Sequence, residues 1–128
     1  MALVAAVGAG LDLAHKAAAI SAGPVVVHER SALWVLSLAA VPLLEAAAIV
    51  ATRSLVLALV GGVLVGGCAG NLVSAAIWGG VPDPIGLGAV YASLGDVLIV
   101  TGLVLLFPAT LVFAVRNRAR LRESVRTS

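Results

Sequence analysis

Several side chains able to do chemistry stand inside otherwise apolar stretches: Asp12, His15, Lys16, Glu45, Asn71 and Asp96. Asp12 and Lys16 are four residues apart, so on a helix they share a face, with His15 on the same side. Such a pair reads in two ways: as mutually neutralised charges whose lysine reaches toward the surface, or as the polar lining of a site. Glu45 reads as a glutamate that reaches an interface or stays protonated. Asn71, with Gly67 and Ser74 on its helix face, has the character of a bridge between helices. Asp96 opens an apolar stretch, where the helix macrodipole favours an acid. His15 and His28 have no second ligand at metal spacing, so no metal is expected. Gly8-Ala9-Gly10 lies within an apolar stretch and not after a strand, so no nucleotide cofactor is implied either.

The elements that must position these groups are apolar helices. Of 128 residues, 62% are hydrophobic and 11% charged, and the mean hydropathy is +1.17. A water-soluble domain carries roughly a quarter charged residues. Crossing a bilayer takes about 20 apolar residues, and four stretches qualify: about Leu3 to Ala22, Ala32 to Ala51, Leu55 to Trp78 and Ser93 to Val115. Gly23-Pro24 with His28-Glu29-Arg30 separates the first two, Thr52-Arg53-Ser54 the next, and Gly79-Gly80-Val81-Pro82-Asp83-Pro84 opens a loop before the last. The expectation is an all-α membrane protein with four transmembrane helices over 1–115 and a basic tail over 116–128. A charge in the hydrocarbon layer costs at least about 2.5 kcal/mol, so each polar group above needs a reason to be there.

Five of the eight basic residues fall in the tail: Arg116, Arg118, Arg120, Arg122 and Arg126. The positive-inside rule puts that tail in the cytoplasm, and four spans put the N-terminus there too. Arg53 then lies in a cytoplasmic turn, and the loops at 23–31 and 79–92 face outward. The tail reads as a solvated segment touching anionic headgroups and not as a nucleic-acid site. Ala58, Gly62, Gly66 and Gly70 recur every fourth residue and, with Gly67, let other helices approach closely. Lys16, Asn71, Ser74, Asp83 and Asp96 come to a similar depth near the outer face. One cysteine, Cys68, excludes an internal disulfide.

Four segments together resemble the lipoprotein signal peptidase (signal peptidase II) family. Asp12-Leu13-Ala14-His15-Lys16 is similar to its first-span aspartate–lysine motif. Gly66-Gly67-Cys68-Ala69-Gly70-Asn71-Leu72-Val73-Ser74-Ala75 is similar to Gly-Gly-x-x-Gly-Asn-x-x-Asp-Arg. Gly79-Gly80-Val81-Pro82-Asp83-Pro84 is similar to Gly-x-Val-x-Asp-Phe, and Ser93-Leu94-Gly95-Asp96 to Asn-x-Ala-Asp. The order and the span count agree with the family. The resemblance implies a protein of the bacterial cytoplasmic (inner) membrane and cleavage of lipid-modified prolipoproteins at its outer surface. Two carboxylates, one ionised and one protonated, would activate a water.

The chain departs from the family where chemistry is concerned. The resemblance maps one dyad aspartate to Asp96 and the other to Ser74, whose hydroxyl does not ionise near neutral pH. The family's arginine falls at Ala75 and the asparagine of the last motif at Ser93. No Asn-x-Gly-x-Ala-Phe motif is found after the first span, where residues 27 to 34 stand. The first expectation is therefore a catalytically inactive relative. It would act as a binding or accessory subunit for a membrane lipid, a lipoprotein or a larger membrane protein complex through Asp12, Lys16, Asn71, Asp83 and Ser93. The alternative is an active aspartic-type peptidase, with Asp83, between Pro82 and Pro84, as the second carboxylate to Asp96, or with Ser74 as a nucleophile served by Lys16 or His15. A third reading is a small proton-coupled transporter built on Asp12.

Overall fold

A computed structural model describes residues 1–118. The rest of the basic tail, with Arg120, Arg122 and Arg126, lies outside the described residues. The four apolar stretches form four helices: α1 (Ala2–Ala22), α2 (Ala32–Thr52), α3 (Leu55–Trp78) and α4 (Leu94–Arg116). Each is long and apolar enough to cross a membrane. The starts of three are set by serines standing before the apolar runs. Ser31, Ser54 and Ser93 accept hydrogen bonds from the backbone N–H groups of Trp34, Leu57 and Asp96, which would otherwise go unpaired. Gly79 ends α3 in a left-handed conformation (φ 71°) that glycine adopts without a Cβ clash.

α3 is the hub of the bundle. Of its apolar window 56% is buried, against 6% for α2, and it packs on α1, α4 and α2. The small residues of α3 permit this on two sides. Gly66 lies on Ala5 and Gly8 of α1, where a Cβ would come within 3.0 Å of the Ala5 carbonyl oxygen. Gly62 meets Val4 of α1, Gly67 meets the Gly95 backbone and Ile99 of α4, and Gly70 meets the Asp12 side chain. From the other direction, Gly102 of α4 sits on Leu64. Backbone-close contact of this kind holds apolar helices together where lipid leaves no hydrophobic drive between them. The outer faces stay apolar, with Leu3, Leu43, Val50 and Phe107 each more than 70% exposed. A face of that kind is a misfit to water and a match to lipid.

The expectation of an all-helical chain omits four short strands, all at one end of the bundle, here called the strand end. β1 (Val26–His28) pairs antiparallel with β2 (Val81–Asp83), setting Val26 against Asp83 and His28 against Val81. β3 (Ile85–Gly86) pairs with β4 (Tyr91–Ala92), with Gly88 turning the chain at φ 77°. The β-branched run at Val25–Val27 suits a strand. Gly80 lets β1 lie close, since a Cβ there would come within 2.8 Å of the His28 carbonyl oxygen. β2 is buried along its whole length against α3 and α1. The β3–β4 register carries the chain back on itself, so Asp83 and Ser93 flank the base of the hairpin. The loop at 79–92 is thus a device that returns Asp83 to the first turn of α4.

Close approach makes a sharp prediction. Gly67→Ala lowers stability by about 1–3 kcal/mol through overpacking against α4. Gly10→Ala, whose new Cβ meets nothing within 4 Å, leaves stability unchanged or raises it by up to about 1 kcal/mol. Thermal unfolding in detergent reads both, and equal melting temperatures would contradict the helix interfaces described.

Candidate functional site

The site begins with a lysine that has no exposed surface. Lys16 and Asp12 are both fully buried on the α3-facing side of α1. The Lys16 ammonium donates to Asp12 Oδ2 at 2.6 Å, to Asn71 Oδ1 at 2.6 Å and to Ser74 Oγ at 3.0 Å. An ammonium has three protons, and each has a partner. Lys16 therefore neutralises Asp12 without reaching to the surface, sealed in a buried network instead. His15, one residue away, is exposed and stays out of this network.

The partners of Lys16 carry the network onward. Lysine only donates, so Asn71 must turn its oxygen to Lys16, which leaves its NH2 to donate to Asp96 Oδ1 at 2.9 Å. Asp12 uses its second oxygen, Oδ1, to accept the Gly95 N–H at 2.6 Å. A carboxylate of α1 thus sits on the positive end of α4, where the helix dipole stabilises it. Ser93 and Asp96 form a capping box: the Ser93 hydroxyl accepts the Asp96 N–H, and Asp96 Oδ2 accepts the Ser93 N–H at 2.8 Å. The Ser93 hydroxyl proton reaches Asp96 Oδ2 at 3.0 Å or Asn71 Oδ1 at 3.1 Å. Gly70 and Gly95 are the openings that admit these polar groups. A Cβ on Gly70 would strike Asp12 Oδ2, and one on Gly95 would stand 2.7 Å from Asn71 Oδ1.

Ser74 is a structural member of this network. Its hydroxyl donates to the Gly70 carbonyl at 2.6 Å and accepts from Lys16. Ser74 is thus engaged on both sides, by the Gly70 carbonyl and by Lys16.

Above this layer lies Asp83, 1% exposed at the end of β2. Its Oδ2 is 2.6 Å from His28 Nδ1 of β1 and accepts from Arg30 at 3.3 Å. Arg30 in turn lies over the Trp34 ring at 4.9 Å. Asp83 Oδ1 is buried with no hydrogen-bond partner among the described residues, as is Arg30 Nε. Burial pushes the Asp83 carboxyl above its ordinary value of 3.8, and the nearby charge of Asp96 pushes the same way. The His28 hydrogen bond and the charges of Arg30 and His28 oppose the rise without cancelling it. Beside Arg30, a cleft of about 260 Å³ opens between α2 and α3, lined by Val35, Leu72, Ala75, Ala76 and Gly79.

The structure thus brings together Asp12, Lys16, Asn71, Ser74, Ser93 and Asp96, and returns Asp83 to their edge. The packing glycines Gly62, Gly66, Gly67 and Gly70 lie in the interfaces below. Glu45 stands apart, buried against Gly61. Among the described residues no group of three or more His, Cys, Asp and Glu side chains could hold a metal ion. Three participants carry no sequence signal of their own: His28, Arg30 and Gly95. The valine run before His28 was the available hint, since a strand there must find a partner. No family model, curated protein or solved structure matches this chain.

Two predictions follow from burial. Lys16→Met leaves the Asp12 carboxylate buried without its counter-charge and costs about 3–5 kcal/mol. Thermal unfolding in detergent measures it, and a wild-type melting temperature would contradict the network. Asp83 binds its proton more tightly folded than unfolded. Its contribution is fully present below 3.8 and is lost as the pH rises through the raised folded value. The pH slope of stability just above pH 4 should be flatter in Asp83→Asn than in the wild type.

Proposed function

We propose that this chain is a multi-pass protein of the bacterial cytoplasmic membrane and an aspartic-type endopeptidase similar to signal peptidase II, with Asp83 and Asp96 as its two carboxylates. The observation that carries the reading is the setting of Asp83. It is buried, one of its oxygens has no partner among the described residues, and burial, aided by the charge of Asp96, raises its carboxyl above the ordinary value. A carboxyl group raised in this way is suited to hold the proton of an acid–base pair. The missing aspartate at Ser74 is then no loss, because the second carboxylate comes from β2.

In this mechanism Asp83 holds the shared proton and Asp96 is the carboxylate. A water between them attacks the carbonyl carbon of the scissile amide while Asp96 takes one of its protons. Asp83 gives its own proton to the carbonyl oxygen. Collapse of the tetrahedral adduct breaks the C–N bond: the proton on Asp96 leaves with the amine, and one hydroxyl of the adduct returns its proton to Asp83 as the carbonyl re-forms. Lys16 takes no part, since all three of its protons are engaged below. Its work is to hold Asn71 and, through it, Asp96.

The proposed orientation follows the charges. Arg53, Arg116 and Arg118 lie at the end opposite the strands, which favours a cytoplasmic location for that end and for both termini. The site then faces outward, at the depth where a lipid-modified prolipoprotein would present its cleavage point. Arg30 and the cleft beside it offer a wall for that chain.

A second reading is the inactive relative that binds a lipoprotein or a membrane partner. Its support is that His28 and Arg30 already occupy Asp83 Oδ2. The transporter reading has less support, because Asp12 is engaged at both oxygens by Lys16 and Gly95.

Cleavage of a lipidated prolipoprotein by the purified protein in detergent tests the proposal. The wild type is expected to cut. Asp83→Asn and Asp96→Asn should each lose at least about a hundredfold in rate, the scale of general acid–base catalysis, while Ser74→Ala keeps activity within a few-fold wherever it folds. Silence of a folded wild type would favour the inactive relative, and activity surviving in Asp83→Asn would remove Asp83 from the chemistry.

A further inference from the structure

The end opposite the strands holds a second feature, unconnected with the carboxylates. Where the α2–α3 turn meets the last turns of α4, a cleft of about 400 Å³ opens. Arg53 and Arg116 stand at it, and Leu55, Val56, Val112 and Phe113 are among its apolar walls. A neighbouring cleft, also about 400 Å³, shares Val112 and Arg116 and continues along α4 past Leu111 and Val115. The first cleft carries two cationic side chains, and the second is apolar but for Arg116. Among the described residues neither arginine has an ion-pair partner. The nearest acid along α2, Glu45, is buried farther up the helix against Gly61.

Arg53 is also in an unusual backbone conformation. It is the one non-glycine with positive φ among the described residues, at 51°. It occupies the position after α2 where glycine is the ordinary choice. Its N–H still closes the helix by donating to the Ile49 carbonyl at 2.8 Å. The turn therefore carries a Cβ cost that glycine would avoid, and what it gains is a guanidinium at the mouth of the cleft. A guanidinium pair presents planar donors suited to phosphate oxygens.

We propose that this cleft binds one anionic phospholipid, its phosphate between Arg53 and Arg116 and an acyl chain along Leu111, Val112 and Val115. The inference rests on the helices spanning a membrane and is independent of the peptidase reading. The occupant is amphiphilic because the clefts are, and anionic because, among the described residues, the two charges at the first cleft are positive and without an ion-pair partner. The apolar extension beyond Arg116 distinguishes a lipid from free phosphate.

Native mass spectrometry of the protein, purified with an equimolar mixture of phosphatidylglycerol and phosphatidylcholine, tests the assignment. Retention of one phosphatidylglycerol in preference to phosphatidylcholine is expected. Removing each arginine should weaken the preference about fivefold, and the Arg53→Gly/Arg116→Gln pair should abolish it. Arg118→Gln, outside the cleft, should keep it. Arg53→Gly should melt no lower than the wild type in neutral detergent, so that lost binding is not lost folding. Inorganic phosphate should not displace the lipid. Equal retention of both lipids, an equal loss in Arg118→Gln, undiminished preference in the double variant, or displacement by phosphate would each overturn the proposal.

Discussion

The ammonium of Lys16 is the contact on which the strand end depends. One buried cation holds a residue of its own helix, Asp12, and two of α3, Asn71 and Ser74. Through Asp12 and Asn71 it also fixes the first turn of α4. A charge in this position is tolerable only when every donor is used and the counter-charge is at hand. That condition dictates the neighbours. Gly70 and Gly95 must lack side chains so that Asp12 and Asn71 can enter. Asn71 must be an amide, because it accepts on one side and donates on the other.

This polar core sits at one end of the bundle; away from that end, the one buried polar side chain among the described residues is Glu45, set apart against Gly61. Lower down, contact depends on glycines and alanines, with Gly66 on Ala5 and Gly102 on Leu64. Packing of that kind is close but not directional. Hydrogen bonds at the strand end add the direction, fixing how α1, α3 and α4 are rotated against one another. The β1–β2 pair then closes over the top and sets Asp83 beside α4, held by His28 and Arg30 from the opposite strand and its sequel. In the proposed chemistry Asp96 acts from a position that Asn71 and Ser93 hold.

Much of this was legible in the residues. The four helices follow from apolar length; the caps that Ser31, Ser54 and Ser93 supply to three of them emerge with the structure. The spacing of Asp12 and Lys16 put them on one face, and the antiparallel order of the helices brought Asn71, Ser74 and Asp96 to the same end. What was not legible depends on pairing between distant segments. Two prolines around Asp83 suggested an undirected loop, whereas Pro82 lies within a buried strand whose partner is more than fifty residues away. Lys16 showed equally little, because a lysine four residues from an aspartate has the same spacing whether it reaches water or is sealed in. Only the positions of Asn71 and Ser74 decide between them.

The proposed pairing makes Asp96 a negative neighbour that helps to raise the pKa of the Asp83 carboxyl, which lies above the Lys16 network. Infrared titration of the protonated carboxyl band in detergent, comparing the wild type with Asp83→Asn and Asp96→Asn, measures that coupling directly. Asp83→Asn should remove a band that titrates above the ordinary carboxylate range. Asp96→Asn should move that band to lower pH, because a negative neighbour has been withdrawn. An Asp83 band that titrates at the same pH with and without Asp96 would contradict the account.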